Sequence, residues 1–467
     1  MERDVAYDLA EFAVNLKIGD LPESAVRAVK NDIFDSLATG MAGNSAKGVQ
    51  EMVDLAREWG GAEQATLFGF GDKVPAQIAA WINTVQIHGY DFDDTHDTAM
   101  LHSGAVVIPA ALAASELVEN ASGADVFCAI TAGLEIHLRL GLASTVGIVD
   151  SGWVYTPLMG IFAAVAAAGR VLGLDVPQMV NAFGIVYSQC GGTYQAITDS
   201  AWTKRIQPGF ASQAAIVACQ MAQKGVEGVK NTFEGKYGFY HNYLNNHYNP
   251  EPLKKDLGKV YVVETMNFKP WPCGRPVHPP INIGIEARKK FDYDPEEIKH
   301  VEIRLNEHLV SSGCTPEEAR KYPKTIVDAQ FSIPYTCAAA LIYGKVGLSD
   351  FTDEAIRRED VLRLAPKIDG VIDGEYEKNY HAKVCPVDIK IEMNDGNVYE
   401  YHLEHTLGGA DRPMTEADLY EKMKGCVEFS AIRRPADTAD LVKDLIYRME
   451  TLENCSQIIQ TMVGIRQ

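Results

Sequence analysis

The chain is 467 residues long, with 46% hydrophobic and 23% charged residues and a formal net charge of −20. That length exceeds what one compact core holds, so two domains are expected from an ordinary globular composition. The acidity argues against a nucleic-acid surface or a membrane-docking face, and any acid-binding site must concentrate the few local cations. Nine cysteines are scattered with no CxxC pair, a pattern of reduced cytosolic thiols that speaks against zinc sites and cysteine-ligated clusters.

In chain order, the first residues are acidic and lack the apolar run of a signal peptide. Apolar stretches such as 104–114 fall short of the ~20 residues of a membrane span, so a cytoplasmic protein is expected. Val5, Leu9, Phe12 and Leu16 recur at helical spacing. Asp20-Leu21-Pro22-Glu23 reads as a helix start, with a capping Asp and an early Pro, leading into Val26, Val29, Ile33 and Leu37. Further helices are predicted over 75–90, 104–118, 124–143, 158–172 and 208–223. Several are Ala-rich and apolar on most faces, the pattern of helices buried among helices.

The texture changes near Val260. Tyr261-Val262-Val263 and residues 301–305 alternate as strands do. Residues 387–391 and 398–403 flank Asn394-Asp395-Gly396-Asn397, a hairpin signal. Helices return from Thr415. The predicted fold is mainly α: a large helical domain formed by both chain ends, residues 1–262 and 408–467, with a smaller α+β domain inserted over 263–407.

The densest chemistry lies between two predicted helices, in Asp91-Phe92-Asp93-Asp94-Thr95-His96-Asp97 and on to His102-Ser103-Gly104. Four Asp and two His in one short connection are poorly explained by turn formation alone. His102 falls at the start of an apolar helix, where the positive helix end favours a neutral imidazole able to act as a base. The same helix end offers N–H groups to a substrate carboxylate. Asp93 and Asp94 also read as plain loop caps. The segment Asp93-Asp94-Thr95-His96-Asp97 fits the DDxxD pattern of magnesium–diphosphate enzymes, but no second metal motif follows; Asn31-Asp32-Ile33-Phe34-Asp35 lacks the required hydroxyl and Glu. A calcium loop counted from Asp91 is weaker still, with His96 and His102 where Gly and Glu belong.

These residues resemble the MmgE/PrpD family, which includes 2-methylcitrate dehydratase, cis-aconitate decarboxylase and iminodisuccinate epimerase. The resemblance rests on Asp91-Phe92-Asp93-Asp94-Thr95-His96 with His102-Ser103-Gly104-Ala105-Val106-Val107-Ile108-Pro109. It is supported by Thr203-Lys204-Arg205-Ile206-Gln207-Pro208-Gly209, Phe268-Lys269-Pro270-Trp271-Pro272-Cys273, Arg275 with His278-Pro279, and the stretch from Asp328 to Tyr335. It implies a homodimer, a helical domain with an inserted lid, and an active site without metal or other cofactor. It further implies that Asp91, Thr95 and His102 form the catalytic loop, that Lys204 and Lys269 line the pocket, and that Tyr335 is a pocket tyrosine. Arg205 and Arg275 would help bind the acid. The chemistry fits: proton transfer next to a carboxylate needs a base near neutral pH and cations to absorb developing charge. Lys269 and Arg275 each precede a proline, which biases their backbones toward extended conformations. Competing structural readings make Lys204 and Arg205 a solvated pair, Tyr335 a core aromatic and His278 a helix cap.

Two positions depart from the family pattern. Val154, in Gly152-Trp153-Val154-Tyr155-Thr156-Pro157, stands where many members carry a histidine, and Gln207 stands where His often follows Lys204-Arg205-Ile206. With the Gln207 amide as its one neutral donor there, the pocket is expected to accommodate one carboxylate fewer than tricarboxylate-handling relatives, or to set a hydrocarbon part of the substrate against Val154, Tyr155 and Trp153. The alternative is that Tyr155 turns its hydroxyl into the space vacated near Val154. The expected activity is that of a metal-independent hydro-lyase acting alpha to a carboxylate of a small di- or tricarboxylic acid. Epimerisation or decarboxylation of a related dicarboxylate is the alternative. A magnesium-dependent diphosphate enzyme and a non-catalytic binding protein are rivals of other classes.

Overall fold

A computed structural model describes residues 3–381 and 383–465. Its contacts divide the chain into two compact units: a larger one that runs through Phe268 and resumes at Thr415, and a smaller one, Lys269–Met414.

The larger unit is built of helices. Thr203–Gln223 packs on Ala76–His88 and Tyr155–Val171, and Tyr155–Val171 also packs on Gly104–Ser115 and Gly123–Ala143. The Ala-rich composition explains this crowding, since small side chains let helix axes approach closely on several sides at once. Every residue from Tyr155 to Gly169 is buried. Gly123–Ala143 is long and apolar enough to cross a bilayer, a length the sequence reading did not credit. It is a core helix here, 94% buried over its apolar window, and it carries an internal ion pair, Arg139 Nε to Glu135 Oε1 at 2.7 Å.

That ion pair also corrects one predicted strand. Among the described residues Tyr261-Val262-Val263 has no partner strand; Val262–Thr265 is a 3₁₀ turn. The Val263 N–H donates to Glu135 (3.1 Å), while the Arg139 guanidinium donates to the carbonyls of Pro252 (2.7 Å) and Val260 (2.7 Å). A buried charged pair satisfied by this backbone holds the segment in the helical unit.

The smaller unit carries a four-stranded sheet: β1 (Ile298–Leu305), β2 (Ile368–Ile372), β3 (Val387–Met393) and β4 (Val398–Leu403), in spatial order β2-β1-β3-β4. The hairpin forms where the Asp-Gly signal places it, with Val387 opposite Leu403. β1 runs parallel to β2, which requires a crossover, and helix Ile333–Tyr343 lies within that connection. It packs on helix His278–Lys290. β2 was not anticipated, because Asp369-Gly370 interrupts its apolar alternation.

Candidate active site

The polar loop joins two helices of the larger unit, Ala76–His88 and Gly104–Ser115. Asp91 turns the chain with φ 55°, a left-handed conformation that Asp tolerates better than most residues. Thr95 then pairs its backbone with Asn267, N–H to carbonyl at 2.8 Å in both directions, which ties the loop to the segment leading to Lys269. The Ala99 N–H donates to His96 Nδ1 at 3.0 Å. His96 Nε2 therefore carries the proton and donates to the Thr265 hydroxyl at 2.9 Å. Burial holds the His96 imidazole below its usual range and leaves it a neutral strut.

Asp94 fixes the start of the second helix. Its carboxylate accepts the N–H groups of Ser103 (2.7 Å) and Gly104 (3.0 Å), so the helix-end donors expected to meet a substrate carboxylate are taken by a side chain. Asp94 is thus the cap that the plainer reading proposed. Gly104 is required at this point: a Cβ there would lie 2.4 Å from Ser36 Oγ and 2.7 Å from Asp32 Oδ1. Burial, with the neighbouring charge of Asp93, pushes the Asp94 carboxyl up to about 8.

His102 is positioned from three sides. Its N–H donates to Thr156 Oγ1 (3.0 Å), and ring Nδ1 donates to the Asp94 carbonyl (2.7 Å). A carbonyl accepts only, so the neutral ring is the Nδ1–H tautomer and Nε2 holds the lone pair. Nε2 lies 3.9 Å from Asp91 Oδ1. Asp91 Oδ2 in turn receives Lys204 Nζ at 3.1 Å and Arg205 at 2.7 Å. Both cations sit in the first turn of helix Thr203–Gln223 and are buried. They are not the solvated pair of the plain reading. A base with an oriented lone pair thus stands beside a carboxylate bearing two cations.

Val154 and Gln207 meet at one loop. Val154 N–H donates to the Gly192 carbonyl (2.7 Å), and Gln207 Nε2 donates to the Thr193 carbonyl (3.2 Å). Gln207 Oε1 is buried with no hydrogen-bond partner, so this corner presents an acceptor and an apolar wall. Tyr155 is fully buried, and its hydroxyl is engaged by Ser144 (2.9 Å) and by the Val146 carbonyl. It therefore does not turn into space vacated near Val154.

The remaining predicted residues belong to the smaller unit. Lys269 is 1% exposed. Arg275 faces His278 Nδ1 at 3.5 Å, and buried His278 lies 3.4 Å from the Cys273 carbonyl. Tyr335 is a core residue: its hydroxyl faces the carbonyls of Asp350 (2.7 Å) and Ala355 (3.2 Å).

Four neighbours of the loop have no site role in the sequence analysis. His88 closes the preceding helix, and its Nδ1 lies 2.8 Å from Asp93 Oδ2. Asp32 and Asp35 share a face of helix Glu23–Gly43; their i, i+3 spacing was the available signal. Lys422, from helix Glu416–Phe429, pairs with Asp35 (2.6 Å) and donates to the Phe92 carbonyl (2.6 Å). No signal in the sequence links Lys422 to that loop.

His88, Asp91, Asp93 and His102 each bring one nitrogen or oxygen within 4.8 Å of the others, a spacing compatible with a divalent ion. Two cations already sit on Asp91 and would repel a dication, His88 engages Asp93, and Asp94 is committed to backbone N–H groups. In this structure the cluster is an internal ion-pair network, with Asp93 and Asp94 both engaged by neighbouring groups.

Comparison with known proteins agrees with this geometry. Residues 7–251 match the MmgE/PrpD N-terminal domain and residues 271–445 the MmgE/PrpD C-terminal domain. Cis-aconitate decarboxylase of Aspergillus terreus is 26% identical over 98% of this chain and 96% of its own length. The Mus musculus cis-aconitate decarboxylase is 24% identical over 99% and 94%. The 2-methylcitrate dehydratase of Salmonella typhimurium is 24% identical over 54% of this chain and 53% of its own. With both family domains matched along the chain and the motif residues gathered around His102, this chain belongs to the MmgE/PrpD family.

Proposed function

We propose that the chain is a metal-independent lyase acting at the carbon alpha to a carboxylate of a small di- or tricarboxylic acid. The observation that carries this reading is His102: its Nδ1–H is held by the Asp94 carbonyl, and Nε2 faces the Asp91–Lys204–Arg205 group. In dehydration, Nε2 removes the alpha proton, and the electron pair forms the carbon–carbon double bond as the hydroxyl leaves. In decarboxylation, carbon dioxide leaves first and a protonated Nε2 returns a proton to the carbanion. Both routes pass through charge on the substrate carboxylate, which Lys204 and Arg205 stabilise. Lys269 and Arg275 keep the acid-binding roles the resemblance gives them. The near full-length likeness to cis-aconitate decarboxylases favours decarboxylation as the second reading.

The corner at Val154 and Gln207 favours a substrate with one carboxylate fewer than the tricarboxylates. An unpaired carboxylate brought there would lack a donor, at a cost of several kcal/mol. The test is product analysis by NMR in deuterated water over cis-aconitate, 2-methylcitrate and substituted succinates and malates. Deuterium at an alpha carbon is expected, and no exchange or turnover on any acid overturns the reading. If either tricarboxylate has the highest kcat/KM, the assignment of the Val154 corner is wrong. Activity is expected to survive exhaustive dialysis against EDTA; loss restored by magnesium or zinc revives the diphosphate rival. A cytoplasmic homodimer completes the proposal. The dimer is supported by the exposed rings of Trp59 (56% exposed) and Phe210 (50% exposed), which stack on buried Trp81, and is checked by sedimentation.

A further inference from the structure

The helix that ends at His88 brings a second imidazole beside the first. The His88 and His102 rings lie 5.0 Å apart, tilted by 53°. His88 is 1% exposed and Asp93 fully buried. Burial holds the His88 imidazole down at about 4, so the ring is neutral, and the nitrogen facing a carboxylate at 2.8 Å is the one that carries its proton. The same Asp93 oxygen lies 3.9 Å from His102 Nδ1.

The other charged groups around His102 are accounted for element by element. On the loop, Asp91 holds Lys204 and Arg205 from helix Thr203–Gln223, and Asp94 caps the following helix. On helix Glu23–Gly43, Asp35 holds Lys422 from helix Glu416–Phe429, and Asp32 is kept toward its protonated form by burial and by Asp94. On helix Gly123–Ala143, His137 meets the site through Ser103 (3.0 Å) and is held neutral by burial, at about 3. When His102 carries a proton at both nitrogens, the carboxylate nearest its Nδ1 side is Asp93, held by His88.

We propose that His88 and Asp93 form a buried dyad whose carboxylate is the counter-charge for the His102 imidazolium, which makes His88 a positioning residue for proton transfer. This rests on reading His102 as the proton-transfer group. It also explains the choice of a histidine at a fully buried helix end: an N–H donor fixes Asp93 without neutralising it.

The test uses the full chain and the variants His88→Leu, which removes the donor, His88→Asn, which keeps an N–H close to the Nδ1 position, and Asp93→Asn, which removes the charge at constant shape. In ligand-free protein, the His102 titration followed by ¹⁵N NMR is expected to move down by about one pH unit in His88→Leu and in Asp93→Asn. His88→Asn is expected to restore most of that shift. On the acid that the wild type turns over, kcat at neutral pH falls about tenfold in the first two variants with KM little changed. A His102 titration unmoved by Asp93→Asn, or moved as far by His88→Asn as by His88→Leu, overturns the proposal. Should His88→Leu not fold, the two near-isosteric variants still decide. Wild-type protein that turns over no acid defeats the lyase reading and leaves the NMR comparison standing.

Discussion

In the smaller unit, Ile298, Val301, Ile303, Val387, Ile389 and Ile391 of the sheet pack in one apolar core with Ile281, Ile285, Ala338 and Leu341 of the helices, and the buried ionisable groups include Lys269, His278 and Asp350. The larger unit buries Asp32, Asp35, His88, Asp91, Asp93, Asp94, Lys204, Arg205 and Lys422. Burying an ionised group costs several kcal/mol unless it is paired. The larger unit thus gathers a dense polar cluster in which Lys422 pairs with Asp35, and Lys204 and Arg205 with Asp91, while both Asp32 oxygens lack a hydrogen-bond partner among the described residues. That asymmetry locates the chemistry more firmly than any one motif, because an unfavourable arrangement persists where function requires it.

The sharpest way to break this comparison is to remove the base. His102→Ala is expected to lose roughly 10²–10⁴-fold in turnover with the fold intact, and steady-state rates beside circular dichroism check it. Near wild-type turnover would leave the cluster without its catalytic meaning. Next in size is Asp91→Asn. Asn also tolerates the left-handed turn at this position, so the change tests charge alone. Leaving Lys204 and Arg205 buried without their carboxylate is expected to destabilise the fold by roughly 3–5 kcal/mol, read by chemical denaturation. An unchanged midpoint would mean the pair is solvated.

Asp32→Asn acts in the other direction. Burial, then the charges of Asp94, Asp35 and Asp93, push the Asp32 carboxyl well above its ordinary range, so the folded chain binds that proton more tightly than the unfolded chain. The associated stability is fully present below the ordinary carboxylate range and is lost as pH rises through the folded value. The melting temperature of Asp32→Asn relative to wild type should therefore rise steadily as the pH rises above the ordinary carboxylate range. A difference that stays flat or falls with pH would show that Asp32 is ionised and paired. The smallest effect is expected in the apolar unit, where Tyr335→Phe should lose about 1 kcal/mol of stability, the worth of one hydrogen bond. No matching fall in turnover is expected; a large loss of kcat would return Tyr335 to the pocket.

Much of this was readable in advance. Helical periodicity in an Ala-rich chain marks buried helices whatever their partners, and Asp-Gly between alternating runs marks the hairpin of β3 and β4, because both signals are local. The strand predicted at Tyr261-Val262-Val263 failed because strand pairing is not local: no partner strand among the described residues reaches it, and Glu135 and Arg139 take its backbone instead. The motif residues Asp91, Lys204, Arg205 and His102 were legible as types. Their assignment into partners was not.

By itself, the sequence determined the mainly helical fold, the family motif and the presence of a histidine at a helix start, since these depend on spacing along one chain. Only the tertiary structure decided that Asp94 caps that helix, that the Tyr155 and Tyr335 hydroxyls meet Ser144 and backbone carbonyls, and that His88, Asp32 and Lys422 join the cluster. The physical reason is distance through space. The buried charge of each group is set by neighbours tens or hundreds of residues away, such as Lys422 on the Phe92 carbonyl, and no periodicity encodes which neighbour arrives.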